Sequence, residues 1–249
     1  PIVRFSQNFQ TPTKHSKPHI SHDTHAGARL AVDHFIQRDF KSVGCVSGHK
    51  HGGLRDTFDE FARKAQQMGL AYNEFSFADI TDSGTEDRLQ KRKEAFSKWI
   101  AKCPKPIGLL TFNTAAATLC NLCQFSSIKV PEEVAILSYQ YTRSQCIVAP
   151  VPLSGVAFSD QRLARESIQL LHNKINGEAV SEKTLLVPPK GIIVDKSTDI
   201  LAVKDPLVAS ALTFMRDHLH EPIVVNDIAN YLSVSRRVLE RAFSEALGR

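Results

Sequence analysis

No stretch of this 249-residue chain holds the ~18 to 20 consecutive apolar residues that a membrane span requires, so no membrane partner is expected. The first residues show no charged n-region followed by an apolar h-region. Beginning at Pro1 rather than at Met, the chain reads as a segment whose start lies upstream. G-x-S-x-G, a P-loop and G-x-G-x-x-G are all missing, which removes the motif grounds for a hydrolase, an NTPase or a dinucleotide enzyme. The expectation is a protein that is not an enzyme. Internal repeats and low-complexity segments are missing too.

Cysteine is sparse and odd in number. Cys45, Cys103, Cys120, Cys123 and Cys146 cannot all pair, which favours a reduced, cytoplasmic protein over a disulfide framework. Cys120 and Cys123 share the helical apolar run AAATLCNLC, and no second pair exists to complete a zinc site. They read as packing residues. His19, His22 and His25 stand three apart, and His49 and His51 flank Lys50. Neither group has the carboxylates or thiols to finish a metal site, so neither metal nor cofactor is expected. Charge of one sign is also lacking: 31 Lys and Arg against 26 Asp and Glu leave +5, which admits a polyanionic partner without requiring one.

What is present alternates. Residues 21 to 40 carry helical spacing, with Asp23 near the start. SVGCVSG follows as a β-type run, then a Gly-rich loop from His49 to Gly53, and a second helix closed by Gly69. A strand is expected at Tyr72 to Phe77, and a helix out of the polar stretch TDSGTEDRLQKRKEAFSKWIAK. IGLLTF and EVAILSY are compact apolar runs of buried-strand type, separated by the helix NTAAATLCNLCQF. After LSGVAF comes a helix from Asp160 to Ile175, stopped at Asn176-Gly177. LLVPPKGIIVDKSTD supplies extended pieces, and VKDPLVASALTFMRDHLHE opens an all-helical tail. Strands and helices joined by short links indicate an α/β fold with a parallel sheet.

The tail ends in DIANYLSVSRRVLERAF. Ile228, Ala229 and Leu232 share one face of a first short helix. Val238, Leu239, Ala242 and Phe243 share one face of a second, which Ser235 is placed to N-cap. Two helices joined by three or four residues, with small Ala229 at the contact, make a helix-turn-helix. The outward face then carries Arg236, Arg237, Glu240, Arg241 and Ser244, and arginine forks suit phosphates and guanine edges. A hairpin with a merely solvated charged face fits the same pattern. Charge does not decide between them, because from Lys204 onward six basic residues face six acidic ones.

PIVVNDIANYLSVSRRVLERAFSEALGR resembles the first helix-turn-helix of an AraC-type DNA-binding domain. The preceding LLVPPKGIIVDKSTDILAVKDPLVASALTFMRDH resembles the junction in the xylose-operon-regulator family, whose members join a LacI-like, periplasmic-binding-protein-like sensor to an AraC-type tail. KVPEEVAILSYQ and PLSGVAFSDQRLARESIQLLHNKING are similar to the matching LacI-type segments. The resemblance implies a sensor over residues 1–199, incomplete at its front, and a DNA-binding segment over 200–249 holding only the first helix-turn-helix. It implies a transcription regulator, a double-stranded DNA operator, a small-molecule effector (a sugar) and a homodimer. The alternative is a sugar-binding protein of the periplasmic type without DNA binding, which has no use for the arginine-faced hairpin. The turn position usually held by Gly is Ser233 here, so a non-Gly residue is asked to take that turn geometry. With only one helix-turn-helix, part of the apolar face of its second helix is expected to be uncovered, with Val238, Ala242 and Phe243 as candidates.

In the sensor, the resemblance implies two α/β subdomains joined by three crossings, with the ligand between them. Arg55 in GLRDTFDEF matches the arginine that commonly clamps ligand hydroxyls; a surface helix arginine is the plainer reading. Asn113 in TFNTAAA matches the Asn of an Asn-Asp pair whose Asp is Thr114 here. Gln140 in ILSYQY stands where another Asp is usual. Two strong acceptors for sugar hydroxyls are therefore replaced by neutral groups. Arg55, Asn113, Thr114 and Gln140 are expected to line one cleft, and Ser235, Arg236, Arg237, Glu240 and Arg241 to face DNA.

Overall fold

A computed structural model describes residues 4–6, 19–48, 55–77, 85–179, 184–200, 202–203 and 205–247. In chain order it contains β1 (Arg4–Ser6), β2 (His19–His22), α1 (Thr24–Gln37), β3 (Ser42–Ser47), α2 (Arg55–Gln67), β4 (Ala71–Ser76), α3 (Thr85–Ile100), β5 (Ile107–Thr111), α4 (Asn113–Phe125), β6 (Val134–Ser138), α5 (Arg143–Ile147), β7 (Ser154–Ala157), α6 (Asp160–Ile175), β8 (Leu185–Val187) and β9 (Gly191–Ile193). A 3₁₀ turn at Lys196–Thr198 leads to α7 (Pro206–Asp217), α8 (Val225–Tyr231) and α9 (Arg236–Leu247).

Local chemistry sets these limits. The Asp23 carboxylate accepts from the Ala26 N–H at 2.8 Å and starts α1. Gly69 and Gly177, at φ 74° and 76°, stop α2 and α6 in the left-handed region that glycine takes without strain. Asp205 accepts from Leu207 and Val208 at 2.8 and 3.1 Å, and Pro206 fills the first turn of α7.

The strands form two sheets. The first is parallel, in the order β1-β2-β8, with α6 against it through Ile20, Leu163 and Val187. The second has the order β4-β3-β5-β6-β7-β9 and is parallel from β4 to β7. Its central strands β5 and β6 are buried at every residue, because helices cover both faces. Phe35, Phe58 and Phe61 of α1 and α2 pack on one side, and Phe96, Leu119 and Leu122 of α3 and α4 on the other. The architecture is α/β, a periplasmic-binding-protein-like pair of sheets followed by an all-α segment.

The chain crosses between the sheets at residues 22–24, 157–160 and 187–191. The third crossing sets the direction of the last strand. The chain re-enters at the end where β7 leaves, pairing Gly191 with Ala157 and Ile193 with Gly155, so β9 must run antiparallel. The short helix α5 had no signal in the apolar periodicity. The Gly-rich loop at His49 to Gly53 lies outside the described residues.

All five cysteines are free and buried. Cys120 and Cys123 pack in the core beside Leu119 and Leu122, where burial pushes the Cys123 thiol up to about 12. His19 and His22 are buried and His25 is exposed; among the described residues no group of three or more His, Cys, Asp or Glu could hold a metal. Among them, too, no helix is long and apolar enough to cross a membrane.

Candidate ligand cleft and DNA-reading hairpin

The second sheet presents the carboxyl ends of its parallel strands along one edge, where open α/β sheets place ligands. The first residue of α2, after β3, is Arg55. Asn113 and Thr114 open α4 directly after β5, and Gln140 follows β6. Since β3, β5 and β6 are neighbours, the four positions share that edge. The side chains of Asn113 and Thr114 lie outside the described residues. Gln140 is half-buried, and its backbone carbonyl accepts from the Ser138 hydroxyl at 2.9 Å.

Arg55 has partners of its own. Its Nη1 donates to Glu74 Oε1 at 2.8 Å and its Nε lies 2.9 Å from Asp59 Oδ1. Glu74 and Asp59 stabilise the charged guanidinium further. An arginine between two carboxylates presents little net positive charge to a ligand.

A second constellation sits at the crossings, and sequence reasoning missed it. His22 Nε2 meets Asp160 Oδ1 at 3.1 Å, with the histidine side chain 2% and the aspartate 63% exposed. The Phe158 ring lies 4.9 Å from the His22 ring and 5.6 Å from Tyr139. The Tyr139 hydroxyl donates to the Thr24 carbonyl at 2.7 Å. Gly27 makes this close packing possible: a Cβ there would stand 2.8 Å from Phe158 and 2.9 Å from the Tyr139 oxygen. Asp160 thus places a largely exposed carboxylate beside the strand-end edge, where Thr114 and Gln140 have none. Its only sequence signal was its position at the start of a helix.

The tail forms the expected hairpin. Ser235 Oγ accepts from the Val238 N–H at 3.3 Å, and Asp227 Oδ2 accepts from the Val224 N–H at 2.8 Å. Ser233 takes the turn at φ 54°, the geometry asked of it. Ile228, Ala229 and Leu239 are buried against Ala211 of α7, while Ala242 packs with Val203, Val208 and Ala209. Of the three candidates for an uncovered apolar face on α9, Val238 is 49% exposed, as expected. It lies about 100° around the helix from Leu239, which takes the buried position, so the two do not share one packed face. The expectation fails for the other two: Ala242 is 8% exposed and Phe243 half-buried, because α7 covers them.

Arg236, Arg237, Glu240 and Arg241 all lie exposed. Arg236 Nε donates to Glu240 Oε1 at 2.7 Å, and Arg241 Nε lies 3.2 Å from Glu245 Oε1. Arg237 makes no ion pair with any described residue.

Residues 32–198 match the periplasmic binding protein-like domain. The xylose operon regulatory protein of Haemophilus influenzae is 27% identical over 242 residues, covering 93% of this chain and 60% of its own length. Its Escherichia coli K12 counterpart is 24% identical over 256 residues, covering 100% of this chain and 64% of its own length. The chain therefore spans less than two thirds of either relative. The solved structure of the xylose-binding transcription activator xylR superposes with a TM-score of 0.71 at 21% identity, over 100% of this chain and 66% of that one. A dimeric Lac repressor gives 0.63 at 18% identity, over 81% and 69%.

Proposed function

The chain belongs to the periplasmic-binding-protein-like domain family, and from that premise we propose that it is an AraC-type, DNA-binding transcription regulator. It senses a polar small molecule, a sugar, between its two sheets. Residues 1–199 are the sensor and 200–249 the DNA-reading segment, acting as a cytoplasmic homodimer. The relatives named as xylose operon regulators support the sugar class. Arg55, Asn113, Thr114 and Gln140 are assigned to the ligand, and Ser235, Arg236, Arg237, Glu240 and Arg241 to an operator.

One observation carries the DNA half of this reading. A two-helix hairpin with a left-handed turn at Ser233 and a capping Ser235 follows the last sensor strand and turns three arginines to solvent. Such a unit offers donors for phosphate oxygens and guanine edges. The test is selection from a random duplex library with the full-length protein, repeated with a panel of pentoses and hexoses. Enrichment of one motif, changed by one sugar, is the expected outcome. Sugar binding without any duplex preference would leave the alternative, a ligand-binding protein that does not read DNA.

A further inference from the structure

The passage from sensor to tail is held by an unbroken hydrogen-bond chain. In the last turn of α1, His34 Nε2 lies 2.8 Å from Thr198 Oγ1. Thr198 Oγ1 donates to Ser154 Oγ at 2.7 Å, and Ser154 Oγ donates in turn to the Asp195 carbonyl at 2.8 Å. Each hydroxyl has one proton, so the imidazole donates from Nε2 and accepts at Nδ1 from Arg38 Nη1, 3.1 Å away. Arg38 Nε donates to the Thr198 carbonyl at 2.7 Å, and the Arg38 carbonyl accepts from Ala202 N–H at 2.8 Å. Ser197 Oγ closes the other side on the Ile136 carbonyl at 2.6 Å. His34, Ser154, Ser197 and Thr198 are all buried.

The same junction is gripped from the tail. Arg216 Nη1 of α7 donates to the Asp199 carbonyl at 3.0 Å, and Thr213 Oγ1 to Glu132 Oε1 at 2.9 Å. The opposite end of α1 is fixed at the crossings, through the Thr24 carbonyl under the Tyr139 hydroxyl and the Asp23 N–H on the Val187 carbonyl. Fourteen residues of helix, about 21 Å at 1.5 Å each, therefore run from the cleft crossings to the junction.

We propose that α1 is a strut, and that His34 and Arg38 are positioning residues fixing the helical tail relative to the crossings where the two sheets meet. This rests on reading the tail as a DNA-binding unit. Buried polar chains whose members are all satisfied specify one arrangement rather than several, and the junction is the covalent route from cleft to hairpin.

The test measures geometry without DNA, so a failure of the DNA reading cannot be confused with a failure of the strut. Spin labels at Gln67→Cys on α2 and Ser244→Cys on α9 occupy exposed sites, and the native cysteines are buried. Pulsed-EPR distances on the 249-residue chain should be narrow in the parent. They should broaden at least twofold in His34→Leu and Arg38→Ala, with faster hydrogen exchange at residues 196–203. His34→Gln, which can still donate to Thr198, should restore the narrow distribution. Arg216→Ala touches the junction from outside the buried chain and covers the case in which the core variants fail to fold; it should broaden as well. Narrow distances in every folded variant, equal broadening in His34→Gln, or broadening by Arg216→Ala while folded His34→Leu and Arg38→Ala stay narrow would overturn the assignment.

Discussion

His34 of α1 and Thr198 of the 3₁₀ turn, 164 positions apart, meet at 2.8 Å in the buried interior. Burial, with Arg38 adding to it, depresses the histidine from 6.5 to about 3. The folded protein thus refuses a proton that the unfolded chain accepts near 6.5. Stability linked to His34 is complete above pH 6.5 and declines as pH falls towards 3, by up to about 1.4 kcal/mol per unit. His34→Gln removes that titration. Urea unfolding at stepped pH should show the variant gaining on the parent below pH 6.5, and parallel curves would refute this.

Glu60 gives an acid dependence in a lower window. Hydrogen bonds from Arg63, then Arg29, hold its carboxyl at about 2 against 4.5, with Arg63 Nε and Arg29 Nη1 both at 2.8 Å. The contribution is present above pH 4.5 and lost as pH falls through 2. Both arginines are substantially exposed, so solvent screening reduces it to about 1 kcal/mol or less. Glu60→Gln should be less stable than the parent by that amount at pH 7 and equal to it near pH 2. A gap that persists at pH 2 would assign the effect to packing.

Strand–helix alternation and caps made most of the fold legible. The limits of α4 and α6 agree with the sequence reading to the residue, since a polar start and an Asn-Gly stop mark α6. What stayed hidden depends on contacts between distant segments. Glu74 reaches Arg55 only because β4 pairs with β3 in a register that sets Glu74 against Cys45. Asp160 reaches His22 only because α6 returns to the first sheet. Antiparallel β9 follows from the route of the third crossing, which composition does not encode. The edge that gathers Arg55, Asn113, Thr114 and Gln140 was readable because it needs only chain order; their partners were not.

Ser233 bears a conformational cost that glycine would avoid. Left-handed backbone in a non-glycine residue costs roughly 1 to 2 kcal/mol, partly offset by the freer unfolded chain of a glycine variant. Ser233→Gly should stabilise the hairpin by about 0.5 to 1 kcal/mol, and Ser233→Val should destabilise it by more than 1 kcal/mol. Hydrogen exchange across residues 225–247 reads the local effect. Slower exchange with valine than with glycine would show that the turn does not carry strain.

The three arginines of α9 should contribute unequally to DNA binding. Arg236 and Arg241 must leave Glu240 and Glu245, at 2.7 and 3.2 Å, before they can reach a phosphate or a base. Exposed pairs of this kind are worth about 0 to 1 kcal/mol, so the competition is real but small. Arg237 has no such partner among the described residues and can donate both forks at once. In the full-length protein with its selected duplex, Arg237→Ala should therefore cost most, about 1 to 3 kcal/mol with relaxed preference at one base pair. Arg236→Ala should weaken all sequences alike and lower the salt slope by about 1, as loss of a phosphate contact does. Glu245→Gln frees Arg241 and removes a negative charge near the backbone, so it should tighten binding. Fluorescence anisotropy across a salt series separates these effects. Unchanged affinity in the triple alanine variant would mean that this face of α9 is merely solvated.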